Sequence, residues 1–281
     1  MTATAGTSTR SGEDREYALG THDAELARLG LQHDLWVDVA RRLWDRAGIT
    51  TGSRVLDVGC GPGFATLELA ERVRGTGHVT AVDVSPRYAD YLRATAARRS
   101  LRNVSVVTAD VQSMPIPDAS IDVAYCRWVL CWVSDPAAVV KEIARVLRPG
   151  GLLAVQDYFD WQRLSLAPRS EIMDRVARAA NQSYIAAGSD CDVVQRLPGM
   201  LKAAGLTWDF IEPHAFAVRP SDPLWAWPTT FFANYVPKLV EGGWLTEADQ
   251  RAFMAEWAAR SADDCTFFCT PTVYSVVGRK A

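Results

Sequence analysis

The stretch Val55-Leu56-Asp57-Val58-Gly59-Cys60-Gly61-Pro62-Gly63 constrains the fold more than any other part of the chain. A short apolar run leads into three glycines at alternate positions, and a helical pattern starts at Phe64. Short apolar strands buried on both faces belong to parallel sheets, and parallel strands must be joined by crossovers, usually helices. Glycine has no Cβ, so a turn rich in it lets backbone pass close against a ligand. The N–H groups at the start of the next helix favour electron-rich ligand atoms.

The strand-and-helix rhythm repeats. Apolar patterns predict strands over 54–58, 78–84, 104–109, 121–126 and 152–157, separated by helices over 64–74, 86–100 and 136–147. Such alternation implies an α/β fold, doubly wound, with a mostly parallel sheet between two helical layers. Upstream, residues 13–48 read as helical, with Trp36, Val37, Val39, Ala40, Leu43 and Trp44 spaced for one face and Gly48 as the stop. Downstream, the spacing predicts helices over 168–187 and 193–204, a strand over 206–218, a mainly helical Trp- and Phe-rich stretch over 221–261, and a last strand over 265–278. The expected organisation is a tail (1–12), an amino-terminal helical cap (13–50), a cofactor-binding core (51–160), and a final part (161–281) that completes the sheet and adds helical insertions over the substrate.

Three acids mark the strand tips. Asp57 precedes the turn, where it can fix the loop and a cationic amino group. Asp83 closes the second strand, 20 residues after Gly63, where a carboxylate can accept ribose hydroxyls. Asp110 follows the third strand and can accept from an adenine amino group, while the Val111 N–H donates to the ring. Open α/β sheets bind ligands at such carboxyl ends. The G-x-G-x-G spacing differs from the G-x-G-x-x-G of dinucleotide sites. A nicotinamide-dependent oxidoreductase is therefore the weaker alternative.

Together with Pro115-Ile116-Pro117-Asp118-Ala119-Ser120-Ile121-Asp122 and Val146-Leu147-Arg148-Pro149-Gly150-Gly151, these residues resemble the class I S-adenosylmethionine-dependent methyltransferases. The likeness is to the ubiquinone and menaquinone biosynthesis type and to small-molecule methyltransferases of specialised metabolism, and it spans about residues 50–160. It implies a Rossmann-like sheet of seven strands, the last antiparallel, with S-adenosylmethionine as cofactor. The implied cofactor contacts are Asp57, Gly59, Gly61, Gly63, Asp83, Val84, Asp110, Val111, Cys126 and Arg127. A looser likeness over Tyr17, Gly20, Glu25, Arg28, Leu29 and Gln32 implies a helix that closes over the cofactor, with Tyr17 as a further contact.

The implied reaction is methyl transfer to oxygen or nitrogen of a small, partly apolar metabolite. Carbon methylation of an aromatic or isoprenoid acceptor is the close variant. Positioning supplies most of such catalysis, and a base is needed only for an acceptor of high pKa. The candidates for that base are His33, Asp157, Tyr158 and His214. Trp161, Trp225 and Trp227 fall in turn-like segments and are expected to line a substrate pocket, which would suit an apolar or aromatic acceptor or shelter a cationic amine.

Charge and composition narrow the partners. Thirty basic residues stand against 33 acidic ones, with no long basic run, so nucleic acid is not expected. No apolar run approaches the ~20 residues that span a bilayer, and the first residues lack a secretory pattern, so a cytoplasmic protein is expected. The six cysteines form no C-x-x-C pair, which argues against a metal site. A homodimer is compatible with all of this.

Overall fold

The computed structural model describes residues 23–281. Helix α1 (Asp23–Arg46) comes first, burying Trp36, Val39, Leu43 and Trp44 along one stripe. The apolar run before the glycines forms β1 (Arg54–Val58), in which all residues after Arg54 are buried. Helix α2 (Phe64–Val73) leaves the glycine turn directly and returns the chain to β2 (His78–Asp83). Ser85 caps α3 (Pro86–Arg98), accepting from the Tyr88 N–H, with Pro86 in the first turn where a missing N–H costs nothing. The strands β3 (Val104–Thr108) and β4 (Ile121–Arg127) follow. Asp135 and Pro136 start α4 (Pro136–Val146) in the same way, and the chain turns into β5 (Leu147–Tyr158).

The later elements are β6 (Ser165–Ala167), α5 (Glu171–Ala186), α6 (Leu197–Ala203), β7 (Leu206–His214), β8 (Ala217–Val218), α7 (Ala226–Glu241), α8 (Glu247–Ser261), β9 (Phe267–Cys269) and β10 (Val273–Lys280). The main sheet has seven strands in the order β3-β2-β1-β4-β5-β10-β7. The first five are parallel, and β10 runs antiparallel to both neighbours. Strand order reverses between β1 and β4, so the crevice outside their carboxyl ends is the switch point where such sheets bind ligands. One apolar layer under the sheet contains Leu43, Trp44, Val55 and Tyr125, with Trp44 edge-on to Tyr125 at 5.6 Å.

Three expectations are corrected. The strand expected over 206–218 is two strands, and so is the one expected over 265–278. Pro271 has no N–H to donate and stands between β9 and β10, where the chain leaves one sheet for another. Phe216 leaves β7 and instead bonds Thr270: the Thr270 N–H donates to the Phe216 carbonyl at 2.9 Å, and Thr270 Oγ1 accepts from the Phe216 N–H at 3.0 Å. The displaced pieces form a second, three-stranded antiparallel sheet, β6-β9-β8. The helix expected over 193–204 is also broken, into a 3₁₀ turn at Val193–Arg196 and then α6.

Candidate active site

The three glycines of the turn do different work. All have positive φ, which favours glycine. A Cβ on Gly59 would lie 2.5 Å from Val129 Cγ2, and one on Gly63 would lie 2.3 Å from Leu92 Cδ1, so these two permit close packing. A Cβ on Gly61 would meet nothing within 4 Å. The middle of the loop thus faces open space at the switch point.

Asp83 holds that loop. Its Oδ2 accepts from the Gly61 N–H at 2.7 Å and its Oδ1 from the Ser85 N–H at 2.8 Å. Burial pushes its pKa above the usual carboxylate range. Each oxygen still has a lone pair for a further donor. Beside it, Val84 is 65% exposed, an apolar side chain laid open at a strand tip. Asp57 is placed otherwise. It is 3% exposed and accepts from Thr66 Oγ1 at 2.6 Å, so it ties β1 to α2, and burial pushes it up to about 6. Asp110 is exposed and closes a tight turn by accepting from the Gln112 N–H at 2.8 Å, and Val111 beside it is buried. Cys126 is fully buried within β4. Tyr17 lies outside the described residues.

Arg127 ends β4 across from the glycine turn. Its Nη2 donates to His33 Nδ1 at 2.9 Å, and His33 Nε2 meets Glu68 Oε1 at 3.1 Å. Arginine only donates, so Nδ1 accepts and Nε2 carries the proton. Burial, then Arg127, push His33 down to about 4. With both nitrogens engaged, His33 is a strut for Arg127 rather than an open base. Arg127 Nη1 is buried and has no partner among the described residues.

The other base candidates separate. The Asp157 carboxylate is sealed, accepting from the Tyr158 N–H at 2.9 Å and the Cys131 N–H at 3.2 Å, and burial pushes it up to about 6. His214 ends β7, two strands beyond β5, with Nε2 at 2.8 Å from Ser275 Oγ. Tyr158 alone of the four lines a pocket over the ends of β4 and β5. Nine of the fourteen described residues that line it are aromatic, Trp161 and Trp227 among them. Trp225 is not. It stacks on Trp257 at 4.8 Å and donates to Ser261 Oγ at 3.1 Å, within the packing of α7 and α8.

The sequence reading missed Trp128, Tyr184 and Glu68. Trp128 had a signal: it directly follows Arg127 at a strand tip on the ligand side. Glu68 and Tyr184 carried none, since only the fold brings α2 to His33 and α5 to the pocket.

S-adenosylmethionine offers hydroxyls, an apolar-faced adenine ring and a carboxylate. The spare lone pairs of Asp83 fit the hydroxyls, the bare Val84 fits the ring and the unpartnered Arg127 Nη1 fits the carboxylate, while the open face at Gly61 leaves room for them. Comparison with known proteins agrees. Residues 56–155 match the model of a methyltransferase domain family. The chain is 32% identical over 127 residues to an aklanonic acid methyltransferase of Streptomyces sp. (strain C5), covering 45% of this chain and 57% of that one. It is 32% identical over 194 residues to a trans-aconitate 2-methyltransferase of Azoarcus sp. (strain BH72), covering 68% and 66%. The YcgJ protein of Bacillus subtilis shares the fold with a TM-score of 0.57 at 20% identity, covering 89% of this chain and 98% of that one. The chain spans about half to two thirds of the length of the curated relatives it matches. Its motifs, its strand order and these likenesses agree: the chain belongs to the class I S-adenosylmethionine-dependent methyltransferases.

Proposed function

We propose that this protein transfers the methyl group of S-adenosylmethionine to an oxygen or nitrogen of a small, partly apolar molecule held in the aromatic pocket. The observation that carries the reading is continuity across one peptide bond: Arg127 ends β4 opposite the glycine turn, and Trp128 is a wall of the pocket. The two sites therefore adjoin at the tip of β4.

When bound, the cofactor supplies a methyl group already activated by its sulfonium charge. The chain's own task is alignment. Asp83 and the glycine loop hold one end of the crevice, and the His33-braced Arg127 holds the other. The rings of Trp128, Tyr158 and Trp227 exclude water and orient the acceptor, which is how proximity lowers such a barrier. Helix α1 and helix α7 cover the pocket together. Trp227 Nε1 donates to Gln32 Oε1 at 3.1 Å, and Asn234 Nδ2 donates to Glu25 Oε2 at 2.9 Å. With Asp157 sealed and His33 braced, the reading needs no strong protein base, and the acceptor's own pKa sets the pH profile. The balanced charge supports a free metabolite over nucleic acid. No described helix is long and apolar enough to cross a membrane.

The test is transfer from methyl-labelled cofactor to panels of small phenols, carboxylic acids and amines, with the product's methyl signal assigned by NMR. The reading expects O–CH3 or N–CH3 product. A C–CH3 signal, or no transfer to any panel member by cofactor-saturated protein, contradicts it.

A further inference from the structure

The pocket's walls narrow the acceptor. Trp128 stacks on both Tyr158 and Trp227: its plane lies 24° from each, with ring centroids 6.1 Å apart in each pair. Stacked rings favour a flat guest, which offers its faces for offset stacking. The indole N–H groups in this region differ in one respect. Those of Trp225, Trp227 and Trp257 donate to Ser261, Gln32 and Thr229. The Trp128 Nε1 is buried and has no partner among the described residues. Trp36 and Trp44 share that state, but neither lines the pocket. Buried donors are normally satisfied, so one in a pocket wall points to an acceptor on the guest.

Trp128 also sits at φ 53, a left-handed backbone that a bulky side chain adopts only under constraint. Beyond that turn the Trp128 ring lines the pocket, with the Arg127 guanidinium against it. A cationic guest is disfavoured. The Arg127 guanidinium carbon is 5.1 Å from the Trp128 ring centroid and already provides the cation that such a ring attracts. No carboxylate lines the pocket among the described residues, and Arg28, which does, is already neutralised by a buried ion pair with Glu25 at 2.7 Å.

We infer that the methyl acceptor is a flat aromatic molecule with an oxygen that accepts a hydrogen bond from Trp128 Nε1, and not a cationic amine. This rests on the methyl-transfer reading and narrows it.

The test is equilibrium dialysis of the full chain saturated with S-adenosylhomocysteine. The probes are 2-hydroxy-1,4-naphthoquinone, 2-methylnaphthalene, geraniol and tetramethylammonium. The naphthoquinone is expected to bind most tightly. Trp128→Phe keeps a ring and removes the N–H, so it should weaken the naphthoquinone about fivefold and leave 2-methylnaphthalene within about twofold. Equal or tighter binding of geraniol or tetramethylammonium overturns the inference, as does a Trp128→Phe effect that is absent or the same for both flat probes. If that variant fails to bind S-adenosylhomocysteine, Phe231→Ala replaces it. Phe231 is a half-buried wall residue. Its loss should weaken both flat probes about tenfold with S-adenosylhomocysteine affinity kept, and unchanged probe affinity overturns the inference. Failure of the wild-type chain to bind S-adenosylhomocysteine would instead sink the underlying methyl-transfer reading.

Discussion

Arg127 Nη2 donates to His33 Nδ1 across 2.9 Å, joining two residues 94 positions apart and fixing the imidazole in its neutral form. Glu68 takes the other ring proton at 3.1 Å. The strut works only while Nδ1 is free to accept. Burial, with Arg127, holds the folded pKa at about 4, below the ordinary 6.5. A depressed histidine pKa gives stability that is present above about 6.5 and lost as pH falls through about 4. Urea melts between pH 7 and pH 4.5 should therefore show a steeper loss for the wild type than for His33→Asn, which does not titrate. Asp57 and Asp157 titrate with the opposite sign but are common to both proteins. Parallel curves would show that His33 is not braced this way.

Gly61 and Gly63 should fail differently when given a Cβ. Gly61→Ala meets no neighbour, so its cost to the fold is the left-handed backbone alone, about 1–2 kcal/mol. Its methyl projects into the proposed cofactor space, so S-adenosylhomocysteine affinity should fall by more than tenfold. Gly63→Ala adds a 2.3 Å clash with Leu92 and should lose about 1–3 kcal/mol more stability. Calorimetry of both variants, for melting and for binding, separates the two losses.

Removing the Asp83 carboxylate leaves the Gly61 and Ser85 N–H groups without their acceptor and removes the proposed ribose partner. Asp83→Ala should raise the dissociation constant for S-adenosylhomocysteine by at least about tenfold, roughly 1.4 kcal/mol. Unchanged affinity by titration calorimetry would remove Asp83 from the site.

Thr66→Val deletes the hydroxyl that donates to Asp57 at 2.6 Å and leaves a buried carboxyl unpaired. The cost should be about 1–3 kcal/mol. The bond favours the charged form, and burial has raised the folded pKa to about 6. A raised carboxyl pKa gives stability that is present below the ordinary range and lost as pH rises through about 6. Chemical melts should thus show a larger Thr66→Val penalty at pH 8 than at pH 5. A penalty independent of pH would mean that Asp57 does not titrate in this range.

The sheet was legible because its signals are local. Apolar runs, three glycines and the acids at strand tips all lie within short segments of 54–157, and β1 begins and ends where the sequence placed it. The pocket was only half legible because distant segments build it. Trp225 and Trp227 looked equivalent, yet two steps along a helix turn a side chain by about 200°, so one packs on Trp257 and the other faces the pocket. Nothing local announces that Trp128 takes a left-handed turn, or that His33 reaches Arg127. The split of the last strand was written only in Pro271, and that of 206–218 only in the distant Thr270, whose bonds with Phe216 no local pattern announces.

The most direct test of the whole account is isothermal titration of the full chain with S-adenosylhomocysteine and, separately, with NAD. The account expects one S-adenosylhomocysteine site per chain, weakened in Asp83→Ala, and no heat from NAD. Saturable binding of NAD with none of S-adenosylhomocysteine would contradict it.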